Sequence, residues 1–306
     1  MEPAKRSNAL TALAFLLPSL IGFAVFSILP MIISLAVSFS NWDGLSKLIL
    51  FDDIPGFFRE FGAGLTNYIN IFTTPELYKA LGNTLKFVVM YIPIMLIAAM
   101  SVGLILEKGR KGSGVLRVLY YIPVITSWVA GALIWRWALS PEYGIINAIL
   151  RAFGIQGPMW LQSAQWAMPG IVLASIWKDM GYFGLMLFAG LRAIDRGYYE
   201  AAQVDGAGKT RQFFSITLPM LSPTLFFTAI IGIINSLQIF PQVVVMTPGG
   251  GPSGSTMVMV ERIYTRAFSY YQMGYASAMS LILFIVILIF TMIQMKLQKR
   301  WVTYDV

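Results

Sequence analysis

Long apolar stretches separated by short polar ones dominate this chain. Six of them are long enough to cross the ~30 Å hydrocarbon core of a bilayer as helices. They run from about Leu10 to Phe39, Leu85 to Leu106, Val118 to Leu139, Ala167 to Leu191, Pro223 to Val245 and Met273 to Leu297. A helix starting near Pro75 leads into the second. Lys5 and Arg6 precede the first stretch, as they would precede a signal peptide. The stretch is too long for that, and no small-residue cleavage pattern follows a short apolar core, so it reads as a retained span. The pattern predicts an all-α fold: a polytopic membrane protein with six transmembrane helices, residues 1–306 forming one membrane domain. No strong internal repeat, low-complexity tract or soluble domain interrupts it.

Composition agrees with this reading. Apolar residues make up 57% of the 306 positions and charged residues 12%, against about 25% charged in ordinary soluble domains. Mean hydropathy is +0.71. The absence of cysteine excludes disulfides and thiol chemistry. The absence of histidine removes the commonest metal ligand and proton shuttle. No catalytic or metal-binding constellation stands out.

The net charge of +8 gains meaning from its distribution. One set of span ends carries Lys5, Arg6, Lys108, Arg110, Lys111, Arg117, Arg192, Arg196, Lys209, Arg211, Lys296, Lys299 and Arg300. The opposite loops carry Lys47, Arg59, Lys79, Arg151, Arg262 and Arg266. Excess Lys and Arg near span ends marks the cytoplasmic side, so the first set lies inside, with both termini. This distribution points to lipid rather than nucleic acid.

The opposite loops have character of their own. Asn41 to Thr74 mixes polar and aromatic residues. Within Ser140 to Gln165, the stretch Ile145 to Phe153 looks like a short amphipathic interfacial helix. Thr247-Pro248-Gly249-Gly250-Gly251-Pro252-Ser253 is a turn-rich loop that cannot be a regular helix.

The polar segment between the fourth and fifth stretches, about 192–221, reads Glu200-Ala201-Ala202, three residues, Gly206, nine residues, then Ile216-Thr217-Leu218-Pro219. On the charge count it lies inside. Two small helix formers, Ala201 and Ala202, let a short helix fit closely into a cleft on another subunit. Glu200 offers a carboxylate for a charged hydrogen bond. Gly206 suits the end of that helix. Phe213, Phe214, Ile216 and Leu218 supply apolar contact, and Pro219 is expected to break the chain before the fifth span. Gly208-Lys209-Thr210 mimics the tail of a phosphate-binding loop. The full pattern G-x-x-x-x-G-K-[ST] follows a strand; here Gln203 replaces its first glycine, and the preceding residues read as helix. Nucleotide binding is therefore excluded at this position.

Polar residues within spans are costly and need a purpose. Lys178 and Asp179 lie near the middle of the fourth span. They either pair internally to fix helix packing or contact a solute. Asn235, Gln238 and Gln242, with Ser236, lie in the fifth span, and the three amides fall on one helical face. Amides donate and accept, as sugar hydroxyls require; equally, they could bond helix to helix. Trp177 and Tyr182 could stack on a sugar ring or pack in the bundle. Asn83 and Lys86 are weaker candidates.

The segment from Glu200 to Pro219 resembles the cytoplasmic "EAA" loop of ABC importer permeases. The resemblance extends from about Leu10 to Lys299 and is to the carbohydrate-type permeases, related to the larger maltose, the lactose and the glycerol-3-phosphate permeases. Trp160-Leu161, Ile176-Trp177-Lys178, Ala189-Gly190-Leu191, Ile194, Thr247 to Pro252, Tyr264, Phe268 and Gly274 to Ala278 are similar to that family. The chain departs by one extra glycine in the G-G-P loop and lacks the large extracytoplasmic insertion of the maltose subunit. The resemblance implies a type I ABC importer permease fold in a bacterial plasma membrane. It implies a second, homologous permease, two ATPase subunits and an extracytoplasmic solute-binding protein as partners. ATP and Mg would sit on the ATPase, with no cofactor on this chain and no bond chemistry of its own. Glu200, Ala201, Ala202, Asp205, Gly206, Ile216, Leu218 and Pro219 would couple to the ATPase. A secondary transporter driven by an ion gradient is the competing expectation. It fits a membrane region with no histidine and one clear mid-span acid, Asp179, poorly.

Overall fold

A computed structural model describes residues 3–47, 65–109 and 113–301. Arg59, Arg110 and Lys111, used in the charge count, and the middle of the Asn41 to Thr74 segment lie outside the described residues. Among these residues the secondary structure is helical, with no strand. Helix α1 (Pro3–Phe23) continues through a π-helical turn, Ala24–Ile28, into α2 (Leu29–Val37). Helix α3 covers 65–73 and α4 Pro75–Glu107. Then come α5 (Ser113–Ile125), α6 (Trp128–Ala138), α7 (Ile145–Ala152) and α8 (Ala167–Ala193). The polar segment holds α9 (Arg196–Val204), α10 (Lys209–Gln212), a π turn at Phe213–Thr217, and α11 (Leu218–Met220). The rest is α12 (Ser222–Leu237), α13 (Pro241–Met246), α14 (Met259–Tyr264) and α15 (Met273–Trp301).

Four helical stretches are long and apolar enough to cross a membrane: Thr11–Val37, Pro75–Glu107, Ala167–Ala193 and Met273–Gln298. There are six if each of two bent pairs is one span. The stretch expected as the third span is α5 and α6, bent by 99°. The bend falls where Pro123 is followed by Thr126 and Ser127, the latter with extended backbone (φ −55°, ψ 139°). The expected fifth span is also interrupted. Helix α12 ends at Leu237, Phe240 leaves helical geometry (φ −146°) before Pro241, and α13 restarts there. Pro241 has no N–H to continue the hydrogen-bond ladder of α12 and stands in the first turn of α13, where none is needed. Pro219 does not break the chain as expected. It enters just after the π turn, where the Leu218 N–H already bonds to Phe213 O, and the 64° bend comes at buried Leu221 instead.

The chain forms two compact units. The first comprises residues 1–74 and 263–283. In it the Asn67 amide donates to Ser38 O (3.2 Å) and Ser40 O (2.9 Å), and Gly274 N–H donates to Trp42 O (3.0 Å). The stretch Thr11–Val37 is almost wholly exposed.

The second unit comprises residues 75–262 and 284–306. Its core is the packing of α4 along α8, where Phe87, Tyr91, Met95 and Ala99 meet Phe183 and Leu187. Helices without a hydrophobic driving force between them approach through small residues. A Cβ at Gly184 would sit 2.7 Å from Val102, and one at Gly181 would overlap the Tyr120 carbonyl of α5. Gly181→Val should therefore destabilise the protein by about 1–3 kcal/mol through overpacking. Thermal unfolding in detergent checks this; an unchanged midpoint would mean that α5 can move away freely.

Two loops of this unit are held by side chains. Asn147 of α7 donates to Pro141 O and Pro158 O and accepts from Trp160 Nε1 (2.7 Å). In the glycine loop, Gly249, Gly250 and Gly251 all have positive φ. Asn83 donates to Gly254 O and Met257 O (both 2.9 Å), and Lys79 to Ser253 O (2.7 Å). Nearby, buried Arg262 pairs with Glu261 and, at 3.4 Å, with Glu76. The Glu261 hydrogen bonds raise the Arg262 pKa further above its usual value.

Candidate functional site

Two places in the second unit gather the polar residues singled out from the sequence. One is a cleft of about 230 Å³ among α4, α6, α8 and the α12–α13 break. Ser175 and Asp179, four residues apart on α8, face it together. Phe87 and Tyr91 of α4 stack at 5.2 Å on its wall, and Tyr91 OH donates to Asp179 Oδ2 at 2.7 Å. Trp128, just after the α5–α6 break, borders it. The α12–α13 break supplies Asn235, Ser236, Gln238 and Gln242.

The amides converge for a reason other than helical periodicity. The helix stops at Leu237, so the break itself turns Gln238 and Gln242 toward the place Asn235 faces. Asn235 and Gln238 are exposed to the cleft and make no side-chain hydrogen bond within the described residues. Gln242 is 5% exposed, and its Oε1 has no hydrogen-bond partner among the described residues. A buried acceptor left unmet costs about 1–3 kcal/mol, and turning this amide so that its oxygen meets a donor in the cleft would recover that cost.

Three of the expected residues lie elsewhere. Lys178 is 6% exposed and donates to Pro123 O (2.8 Å), Val124 O (3.1 Å) and Thr126 O (2.6 Å). These are the carbonyls left by the end of α5. An ammonium has three protons, so all are engaged, and the charge also lies 5.3 Å from the Trp128 ring centre. Asp179 takes the Tyr91 hydroxyl rather than its neighbour's ammonium. Trp177 packs edge-on against Trp135 at 6.0 Å, and Tyr182 against Phe183 at 5.1 Å. Sequence reasoning missed Tyr91, Trp128 and Ser175. Only Ser175 had a signal, its four-residue spacing from Asp179.

The second place is the 195–221 segment. Asp195 caps α9 by accepting from Gly197 N–H (2.7 Å). At the other end Gly206 has φ +76°, Gly206 N–H reaches Gln203 O, and Ala207 N–H reaches Ala202 O. These two bonds define a Schellman cap, and the left-handed residue in it favours glycine. Tyr199 OH and Thr217 Oγ1 lie 3.0 Å apart and tie α9 to the π turn. The motif divides in two. Glu200, Ala201, Asp205 and Gly206 are exposed; Ile216, Leu218 and Pro219 are half-buried, as is Ala202. Two apolar side chains beside the exposed half face outward: Val204, 89% exposed, and Phe214, 62%. Residues 196–204 form a helix, where a phosphate-binding loop would need a strand.

Comparison with known proteins gives a consistent picture. Residues 74–304 match the family model described as binding-protein-dependent transport system inner membrane component. The chain is 36% identical over 304 residues to a probable ABC transporter permease protein, YesP, of Bacillus subtilis, covering 98% of this chain and 94% of that one. It is 34% identical to the trehalose/maltose transport system permease protein MalF of Thermococcus litoralis, covering 93% and 92%. It is 30% identical to the lactose transport system permease protein LacF of Rhizobium radiobacter, covering 95% and 94%. Among solved structures, a chain of a bacterial ABC transporter importing the acidic polysaccharide alginate shares the fold. Its TM-score is 0.78 at 23% identity, covering 97% of this chain and 96% of that one.

Proposed function

The chain belongs to the inner membrane components of binding-protein-dependent transport systems, and from that premise we propose that it forms half of the pore of an ATP-driven importer of a sugar or oligosaccharide. The single observation that carries the coupling part is α9: a short helix capped at both ends, with Glu200, Ala201 and Val204 exposed. Such a helix is fitted to sit in a cleft of a second protein and move as a unit. Its partner is a separate ATPase, two copies per transporter, which carries ATP and Mg. The Lys and Arg distribution supports a cytoplasmic place for this helix and for both termini. A second, similar permease completes the pore, and an extracytoplasmic solute-binding protein delivers the cargo. The trehalose/maltose and lactose permeases among its relatives support a sugar cargo. This chain makes and breaks no bonds; it exposes the cleft alternately to the two sides as the ATPase dimer closes and opens.

Purification from native membranes in mild detergent tests the reading. The wild type should bring down a second permease and an ATPase, with ATP hydrolysis stimulated by binding protein and sugar. Failure to hold any ATPase while the chain stays folded would overturn it and favour a gradient-driven carrier.

A further inference from the structure

We infer that the cleft selects uncharged, hydroxyl-rich sugars and turns away anionic ones; this deepens the proposed function and rests on its sugar-site reading. The lining carries one ionisable acid, Asp179, and no lysine or arginine among the described residues. The nearest candidate cation is Lys178, and its three protons are already engaged by Pro123, Val124 and Thr126 carbonyls. Arg136, on the same helix as Trp128, faces a separate hollow and Val245 O. The Lys178 ammonium is thus turned toward the α5 carbonyls, Asp179 is the charged group that an anion meets in the cleft, and like charges repel strongly where water is scarce.

The hydrogen-bonding chemistry points the same way. Asp179 is an acceptor that Tyr91 satisfies at one oxygen only. Gln242 Oε1 is a buried acceptor with no donor among the described residues. The Ser175 and Ser236 hydroxyls donate to their own helices, to Ile171 O (2.9 Å) and Ile233 O (2.8 Å), which leaves them only acceptor capacity. The fixed groups thus ask for donors, and the free amides of Asn235 and Gln238 adapt to either role. A sugar hydroxyl donates; a carboxylate or sulfonate cannot. Sharing a fold with an importer of acidic alginate does not extend to the charge of the cargo.

The test uses the assembled transporter in lipid nanodiscs and matched pairs of probes. Maltose, lactose and trehalose are each compared with the counterpart in which one CH2OH is a carboxylate. Binding is read by titration calorimetry at neutral pH. The wild type should bind a neutral sugar at least tenfold more tightly than its anionic partner. Asp179→Asn keeps an acceptor for Tyr91 but removes the charge, and should narrow that ratio at least fivefold. Gln242→Leu removes the unmet acceptor and should weaken the neutral sugar at least tenfold while the unfolding midpoint holds or rises. Equal binding of both members of a pair, or an Asp179→Asn ratio equal to the wild type, overturns the inference and leaves the sugar site standing. If no probe of either charge binds, the sugar-site reading fails first and the inference with it.

Discussion

Lys178→Met should cost the protein more than any other single change in the fourth span. The substitution deletes the donor shared by three carbonyls at the end of α5. In a bilayer interior no water waits to replace it. Pro123 O keeps the Thr126 N–H at 3.3 Å, but Val124 O and Thr126 O lose their donor at about 1–3 kcal/mol each, a large share of the stability of a typical domain, ~5–15 kcal/mol. The expected result is a much reduced yield of folded protein and an unfolding midpoint in detergent lower by roughly 10 °C or more. Lys178→Arg should fall between the two, because a planar guanidinium fork cannot aim at three converging carbonyls as an ammonium does. Asp179→Asn serves as the control: it alters the neighbouring residue but leaves the cap in place. An unchanged midpoint for Lys178→Met would show that the α5–α6 break is held by something else.

Val204→Asp should uncouple the ATPase without touching the fold. Val204 is 89% exposed at the last turn of α9, so the folded chain alone loses no packing. In a protein–protein interface, a charge replacing an apolar anchor leaves that charge desolvated and unpaired. Hot-spot losses of this kind reach 2 kcal/mol or more, so about thirtyfold weaker association is expected. Co-purified ATPase should fall accordingly, and sugar-stimulated hydrolysis with it, while the unfolding midpoint stays within a degree or two. Glu200→Ala should act in the same direction by removing a charged hydrogen-bonding partner. If Val204→Asp holds its ATPase as well as the wild type, the exposed face of α9 is not the docking surface.

The spans were legible because hydropathy summed over about twenty residues survives local irregularity. For the same reason their interruptions were not. Pro123 sits at a break, yet Pro18 and Pro93 lie inside helices that continue past them. Proline alone does not separate the cases; the following Thr126-Ser127 and the waiting Lys178 do. Lys178 was legible as a costly residue but not as a cap, since its partners are main-chain carbonyls some fifty positions away and carry no side-chain signature. Asn235, Gln238 and Gln242 were singled out through a helical face, whereas a broken helix brings them together. Tyr91 looked like any aromatic in an apolar run, and only its bond to Asp179 distinguishes it. The spacing from Glu200 to Pro219 was plain from the sequence. Which half of it faces outward depends on how α9 and the π turn pack, and that is a tertiary fact.

Adjacent positions on α8 carry opposite burdens. Lys178 holds the main chain of a neighbouring helix, and Asp179 faces the cleft. The amides of Asn235 and Gln238 hold nothing in place. With the cleft as the proposed sugar site, cargo preference can drift by point substitution at the lining while the scaffold remains intact. For the same reason a designer wishing to retarget this transporter should vary 179, 235 and 238 together and leave 178 alone.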